Sequence, residues 1–170
     1  MPNITFSQLG NGRFQLKTEQ KLPARPSAAF HFFADAANLE ALTPPWLNFR
    51  ITTPLPIQMQ KGTVIDYQLR LRFVPLRWRT LISEWVENER FVDEALKSPY
   101  KRWHHLHEFE PCEDGTLMRD TVTYEVPFGS LVERLFVRSQ LRQIFDYRYR
   151  QLERTFKSTA TTLQDESSIA

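Results

Sequence analysis

Residues 102–126 constrain the fold most. Arg102 to Glu110 and Leu117 to Val126 each alternate at period two, on either side of the turn-forming set Glu113-Asp114-Gly115. Successive strand residues point to opposite faces. One face of the first run therefore carries Trp103, His105, His107 and Phe109, and one face of the second carries Met118, Asp120, Val122 and Tyr124. A hairpin pairing Cys112 with Gly115 sets Phe109 by Met118, His107 by Asp120, His105 by Val122 and Trp103 by Tyr124, all on one side.

Other strands follow the same rule. Phe14, Leu16, Thr18 and Leu22 share a face of a first strand that Pro23 and Pro26 stop. Ser27 is an N-cap candidate for a short helix through Phe30, Phe33 and Ala34, and a second short helix passes Leu39 and Leu42 before Pro44-Pro45. Ile65, Tyr67, Leu69, Leu71 and Phe73 alternate with polar residues, and Trp78, Thr80 and Ile82 do so after Val74-Pro75. Closing that hairpin at Phe73 and Leu76 sets Leu71 by Trp78 and Leu69 by Thr80. Phe91 to Leu96 is a weaker strand.

The final element is a helix. Ser130-Leu131-Val132-Glu133 reads as a capping box. Leu141, Phe145, Tyr149, Leu152 and Phe156 then step by three or four, a sustained apolar stripe. The order β-α-α-β-β-β-β-β-β-α gives one antiparallel sheet with one apolar face and one long helix to cover it, an α+β domain. It is expected to span 1–157, with 158–170 a polar, disordered tail.

Composition narrows the function classes. A net charge of +2 is too small for a nucleic-acid-binding face. The single Cys112 allows no internal disulfide and suits a reducing compartment. No signal-peptide pattern is read at Met1 to Ser7 and no run is long and apolar enough to span a membrane, so the expected location is the cytoplasm. Thirteen Phe among 170 residues suit a thick core or an apolar cavity.

Several strings resemble a known superfamily. They are Phe30-His31-Phe32-Phe33-Ala34-Asp35, Asn38-Leu39-Glu40-Ala41-Leu42-Thr43-Pro44-Pro45-Trp46, Phe91-Val92-Asp93, Pro99-Tyr100-Lys101-Arg102-Trp103-His104-His105-Leu106-His107-Glu108-Phe109, and Asp120-Thr121-Val122-Thr123-Tyr124-Glu125-Val126-Pro127-Phe128-Gly129. With the element order over about 13–157, they resemble the superfamily of START lipid-transfer domains, aromatic polyketide cyclases and birch-pollen-type allergens (SRPBCC), in particular its bacterial ligand-binding or cyclase/dehydrase branch. The resemblance implies a helix-grip fold, in which a curved antiparallel sheet of about six to seven strands wraps a long C-terminal helix around a ligand cavity. It implies binding of lipids, sterols, quinones, hormones or polyketides, and it carries over no settled catalytic motif.

The sharpest chemical feature is His105, His107 and Asp120. A His-x-His on a strand puts both imidazoles on one face about 7 Å apart. Asp120 beside His107 can set its tautomer, with Tyr124 as a proton donor. Such a set either orients a ligand head group, or satisfies itself, or moves protons in a cofactor-free cyclisation or dehydration. Two histidines and one carboxylate suit zinc or non-haem iron, but no metal is expected, because His104 points the other way and no second carboxylate or histidine is placed to complete the set.

Arg70, Arg72, Arg77 and Arg79 form a basic cluster on the opposite face. It is read as a solvated sheet face, or as a site for a partner protein or an anionic membrane. The basic side of the final helix allows transient membrane contact. The aromatic set Tyr67, Phe73, Trp78, Trp103, Phe109, Tyr124, Phe145 and Tyr149 lines either core or cavity. The expected function is binding or carriage of a small hydrophobic molecule without a cofactor. Trp103, His105, His107, Asp120 and Tyr124 would take its polar end, and Tyr67, Leu69, Leu71, Trp78, Phe109, Val122, Leu141, Phe145 and Tyr149 its body.

Overall fold

The structure, a computed structural model, describes residues 2–71 and 73–167, with side chains described through 157. Eight strands form one antiparallel sheet. They are β1 (Asn3–Gly10), β2 (Arg13–Leu22), β3 (Arg50–Ile51), β4 (Val64–Leu71), β5 (Val74–Val86), β6 (Arg90–Lys97), β7 (Arg102–Cys112) and β8 (Gly115–Glu125), in the order β1-β2-β8-β7-β6-β5-β4-β3. Helices α1 (Pro26–Ala34) and α2 (Asn38–Ala41) follow β2. Helix α3 (Gly129–Val132), a π turn at Glu133–Val137 and α4 (Arg138–Ser167) run on after β8. This is the expected helix-grip fold. Register shifts in β5 at Arg79/Thr80 and Ile82/Glu84 help to curve the sheet.

The β7–β8 register matches the reading of the alternation, with Cys112 opposite Gly115 and Trp103 opposite Tyr124. Gly115 has φ 140°, and a Cβ there would run into the Leu22 carbonyl, so this turn needs glycine. The alternation of β2 also holds, with Phe14, Leu16, Thr18, Gln20 and Leu22 buried.

The β4–β5 register differs from the expectation. Leu71 faces Val74 and Tyr67 faces Trp78, so partners lie four places earlier in β5 than expected. Phe73 lies in a turn, and Pro75 belongs to β5. Proline is tolerated there because β6 pairs with β5 only from Arg79 onward, leaving that end of β5 an edge. The shift is even, so the apolar face survives. Phe73 does not join it: it sits in the turn, 93% exposed. The expected arginine pairing also dissolves. Arg79 meets Asp66 in a two-bond ion pair at 2.8 and 2.9 Å, Arg77 faces Gln68, Arg70 faces Pro75, and Arg72 lies outside the described residues.

Other corrections concern the ends of elements. Strand β1 and the short β3 raise the strand count beyond six or seven. The signal for β1 was Asn11-Gly12, a hairpin-forming pair with φ 51° and 72°. Helix α1 starts with Pro26 at its first position, one residue before Ser27. The capping box does not form. Phe128 occupies the N-cap position with φ 64° and no side-chain cap, while the Glu133 carboxylate is taken elsewhere. Helix α4 runs to Ser167, and 168–170 lie outside the described residues.

Two buried clusters fill the space between sheet and helices. Leu22, Ala29, Phe30, Phe91, Phe109, Met118, Leu152 and Phe156 form one, against α1. Ile4, Phe14, Leu16, Val122, Tyr124, Leu141 and Phe145 form the other. Each fully buried large side chain contributes about 1.5–3 kcal/mol. Along β7 the two clusters are separated by His105 and His107, so polar residues stand at the middle of an apolar interior.

Candidate functional site

The site is assembled from three neighbouring strands and one helix. Strand register puts Asp93 of β6 opposite His105 of β7, and His107 of β7 opposite Asp120 of β8. Arg148 reaches in from α4. His105 is 5% exposed, His107 3% and Asp120 5%, so the group is desolvated and its polar atoms need partners.

The partners are mutual. His105 Nε2 lies 2.8 Å from Asp120 Oδ1, and His107 Nε2 lies 2.8 Å from Asp93 Oδ2. The remaining nitrogens face the opposite carboxylates: His107 Nδ1 is 2.8 Å from Asp120 Oδ1 and His105 Nδ1 is 3.4 Å from Asp93 Oδ2. The two imidazole centroids are 3.7 Å apart. Arg148 Nη2 stands 3.5 Å from Asp120 Oδ1 and 3.3 Å from His107 Nδ1. The Arg148 guanidinium also lies over the Phe33 ring at 5.1 Å, and its buried Nε has no hydrogen-bond partner among the described residues.

These contacts set the charges. Burial favours neutral forms throughout. For Asp120 it is outweighed by Arg148 and both histidines, which hold the carboxyl well below its usual range. Asp93 is lowered in the same way, against burial, by His105, His107 and Arg148. The histidines diverge. Burial pulls His107 down, but bonds to Asp120 and Asp93 outweigh it and hold its pKa above the ordinary value. Burial and the neighbouring His107 lower His105, and the carboxylates do not make up the difference. His105 is therefore the readier proton acceptor and His107 the readier cation.

Beside this group lies a cavity of about 220 Å³. Of the residues expected to hold a ligand, Tyr67, Leu69, Leu71, Trp78, Trp103, His105, His107, Leu141 and Phe145 line it. Its wall also includes Phe33, Leu39, Leu42, Ile65, Thr80, Ile82 and Ile144. Thr80 Oγ1 accepts from Trp78 Nε1 at 3.1 Å and bonds the Tyr67 hydroxyl at 3.0 Å, which holds two lining rings in place.

Five expected residues stand elsewhere. Asp120 lies behind the histidines. Phe109 and Val122 belong to the two packed clusters. Tyr149 borders a separate small crevice with Gln20 and Asp120. Tyr124 donates its hydroxyl to Glu133 Oε1 at 2.9 Å, so the phenol expected as a proton donor is engaged away from the cavity. Asp93 and Arg148 were missed, although both line the cavity. The signal for Asp93 was an acid on the inner face of a strand, two residues from Phe91. Arg148 carried none, being one of many arginines on α4. Asp93 is the second carboxylate that the sequence did not place: Asp93, His105 and His107 each offer a ligand atom within 4.8 Å of the others.

Comparison with known proteins places the fold among solved relatives. TTHA0849 from Thermus thermophilus is 21% identical with a TM-score of 0.63, covering 85% of this chain and 98% of its own. The di-domain ARO/CYC StfQ from the steffimycin biosynthetic pathway is 11% identical with a TM-score of 0.69, covering 88% of this chain and 52% of StfQ. Ara h 8.0201 is 15% identical with a TM-score of 0.61, covering 86% and 99%. At these identities the likeness is one of fold. No curated protein matches. A family profile described as "Domain of unknown function (DUF8410)" matches residues 23–156.

Proposed function

We propose that this chain, which belongs to the DUF8410 family over residues 23–156, binds and carries a small apolar molecule that bears one polar end. We assign it to the bacterial ligand-binding branch of the SRPBCC superfamily and, from its single cysteine, to the cytoplasm. One observation carries the reading: the cavity of about 220 Å³ is walled by aliphatic and aromatic side chains, while Asp93, His105, His107 and Arg148 stand together in its wall.

The volume sets the size of the guest. It is below the roughly 300–1,000 Å³ of sites for drug-sized ligands, so a compact ring system fits better than a long acyl chain. Asp93 and the His105 nitrogen accept hydrogen bonds, and burying a charged end group in an apolar cavity is costly. A phenol or alcohol end is therefore preferred to a fatty-acid carboxylate.

A second reading is a cyclase or dehydratase. The paired imidazoles on the cavity wall favour it, with His105 as the proton acceptor and His107 as the cation. Native mass spectrometry of the purified protein, followed by extraction of bound material, tests the proposal. A reproducible apolar guest supports it. A bare mass that gains nothing from a panel of phenols, quinones and lipids removes the carrier reading. Turnover of a polyketide-like guest, lost in His105→Gln while binding persists, moves the assignment to the enzyme.

A further inference from the structure

The polar end of the cavity is built in two layers. The layer on the cavity is Asp93, His105 and His107, whose ligand atoms lie within 4.8 Å of one another. His105 Nδ1 and His107 Nε2 both turn to one oxygen, Asp93 Oδ2, at 3.4 and 2.8 Å. Nitrogen and oxygen ligands about 2.0–2.2 Å from one metal ion stand roughly 2.8 Å apart at right angles and roughly 3.4 Å apart at the tetrahedral angle. The two measured separations match the ends of that range.

The layer behind is Asp120. Its Oδ1 is 2.8 Å from His105 Nε2 and 2.8 Å from His107 Nδ1. In each ring that is the nitrogen other than the one turned to Asp93. A carboxylate on the far nitrogen holds a proton there, which leaves the near nitrogen's lone pair for an ion, as in metal sites generally. Arg148, 3.5 Å from Asp120 Oδ1, in turn steadies that carboxylate. The charges are compatible. Two carboxylates and one guanidinium leave one positive charge to be supplied; without an ion the His107 proton supplies it, and an ion bound at the front layer takes that proton's place.

We infer that Asp93, His105 and His107 bind a divalent first-row transition metal, of the zinc(II) or iron(II) class, with its open coordination side toward the cavity. Two imidazoles with one carboxylate suit these ions, whereas magnesium and calcium take oxygen ligands. A divalent ion here overshoots neutrality by one charge, so the open side favours hydroxide or an ionised oxygen of a guest. The site stands apart from the carrier reading, since three protein ligands hold an ion whether or not the cavity holds an apolar molecule.

The test uses the tag-free protein, stripped with chelator and titrated with cobalt(II), whose visible spectrum reports coordination. Zinc(II) competes in a second titration, and elemental analysis after gel filtration counts bound metal. One equivalent is expected, with a ligand-field spectrum that zinc(II) abolishes. Asp120→Asn keeps all three ligands and should weaken binding about 10–100-fold. Asp93→Ala should lose the spectrum, with a thermal melt of the metal-free variant establishing that it folds. A folded Asp93→Ala protein that binds as tightly as the parent overturns the inference. So does a parent that takes up neither metal at micromolar concentration, a result that needs no variant.

Discussion

The Tyr124 hydroxyl donates to Glu133 Oε1 at 2.9 Å, tying the last strand to the π turn that opens the closing helix. Glu133 is 1% exposed, and Arg138 grips its two oxygens at 3.0 and 3.0 Å. Tyr124→Phe removes one bond to a charged acceptor and should cost about 1.5 kcal/mol in urea unfolding. Glu133→Ala should cost more, about 2–3 kcal/mol, because it strands the Tyr124 hydroxyl as well; Arg138 is partly in water and recovers some of its loss. Equal and negligible costs for both variants would refute this role for the bond.

Acid should attack the centre of the fold. Asp120 and Asp93 are held below the ordinary carboxyl value of 3.8. Each therefore binds fewer protons folded than unfolded near that pH. The stability they contribute is complete well above 3.8 and is lost as the pH falls through that value toward the folded one. For protein kept in chelator, stability to urea should decline below about pH 5. Arg148→Met, which removes a cation lowering both carboxyls, narrows the gap between folded and unfolded values and should make the decline smaller, with lower stability at neutral pH. An unchanged acid limb in that variant would show that Arg148 does not hold these charges.

Filling the cavity should block a guest without unfolding the protein. Leu71 lines the cavity and is only half-buried, so a larger ring has room to turn inward. Leu71→Trp should weaken binding of a fluorescent apolar probe about tenfold or more, with the melting temperature nearly unchanged. Undiminished probe affinity would place the probe elsewhere on the molecule.

The start of the closing helix should bind anionic membranes. Phe128, Leu131, Leu135 and Phe136 are 89%, 59%, 56% and 61% exposed, next to the exposed Arg134. No helix among the described residues is long and apolar enough to cross a membrane, so any contact through this stretch is interfacial. Flotation with phosphatidylserine-containing vesicles should carry the protein upward. Replacing both Leu135 and Phe136 with Asp should leave it at the bottom. Flotation that ignores these changes, or fails for the parent, excludes the contact.

Local chemistry was legible in the sequence. The β7–β8 register followed from the Glu113-Asp114-Gly115 turn and the alternation around it, since a tight turn and a two-residue period leave one in-phase pairing. The same period found the inner faces of β2, β4 and β5. It left the β4–β5 register open, because any even shift keeps those faces, and the connection between Leu71 and Val74 has no glycine or asparagine to mark it. The capping box failed because Glu133, which fits that motif locally, found Tyr124 and Arg138 instead.

What the chain determined by itself was therefore the strands, their faces, the closing helix and the His-x-His pair opposite Asp120. Tertiary structure alone decided which partners completed that pair. Asp93 arrives through the order β6-β7-β8, and Arg148 through the way α4 lies across the sheet. Both contacts join residues far apart in sequence, and no local period encodes them. The cavity was decided there too. An inward-facing Tyr67 or Leu141 looks the same in sequence whether it packs against a neighbour or borders a void. Only the separation of helix from sheet, set by every side chain between them, leaves the space open.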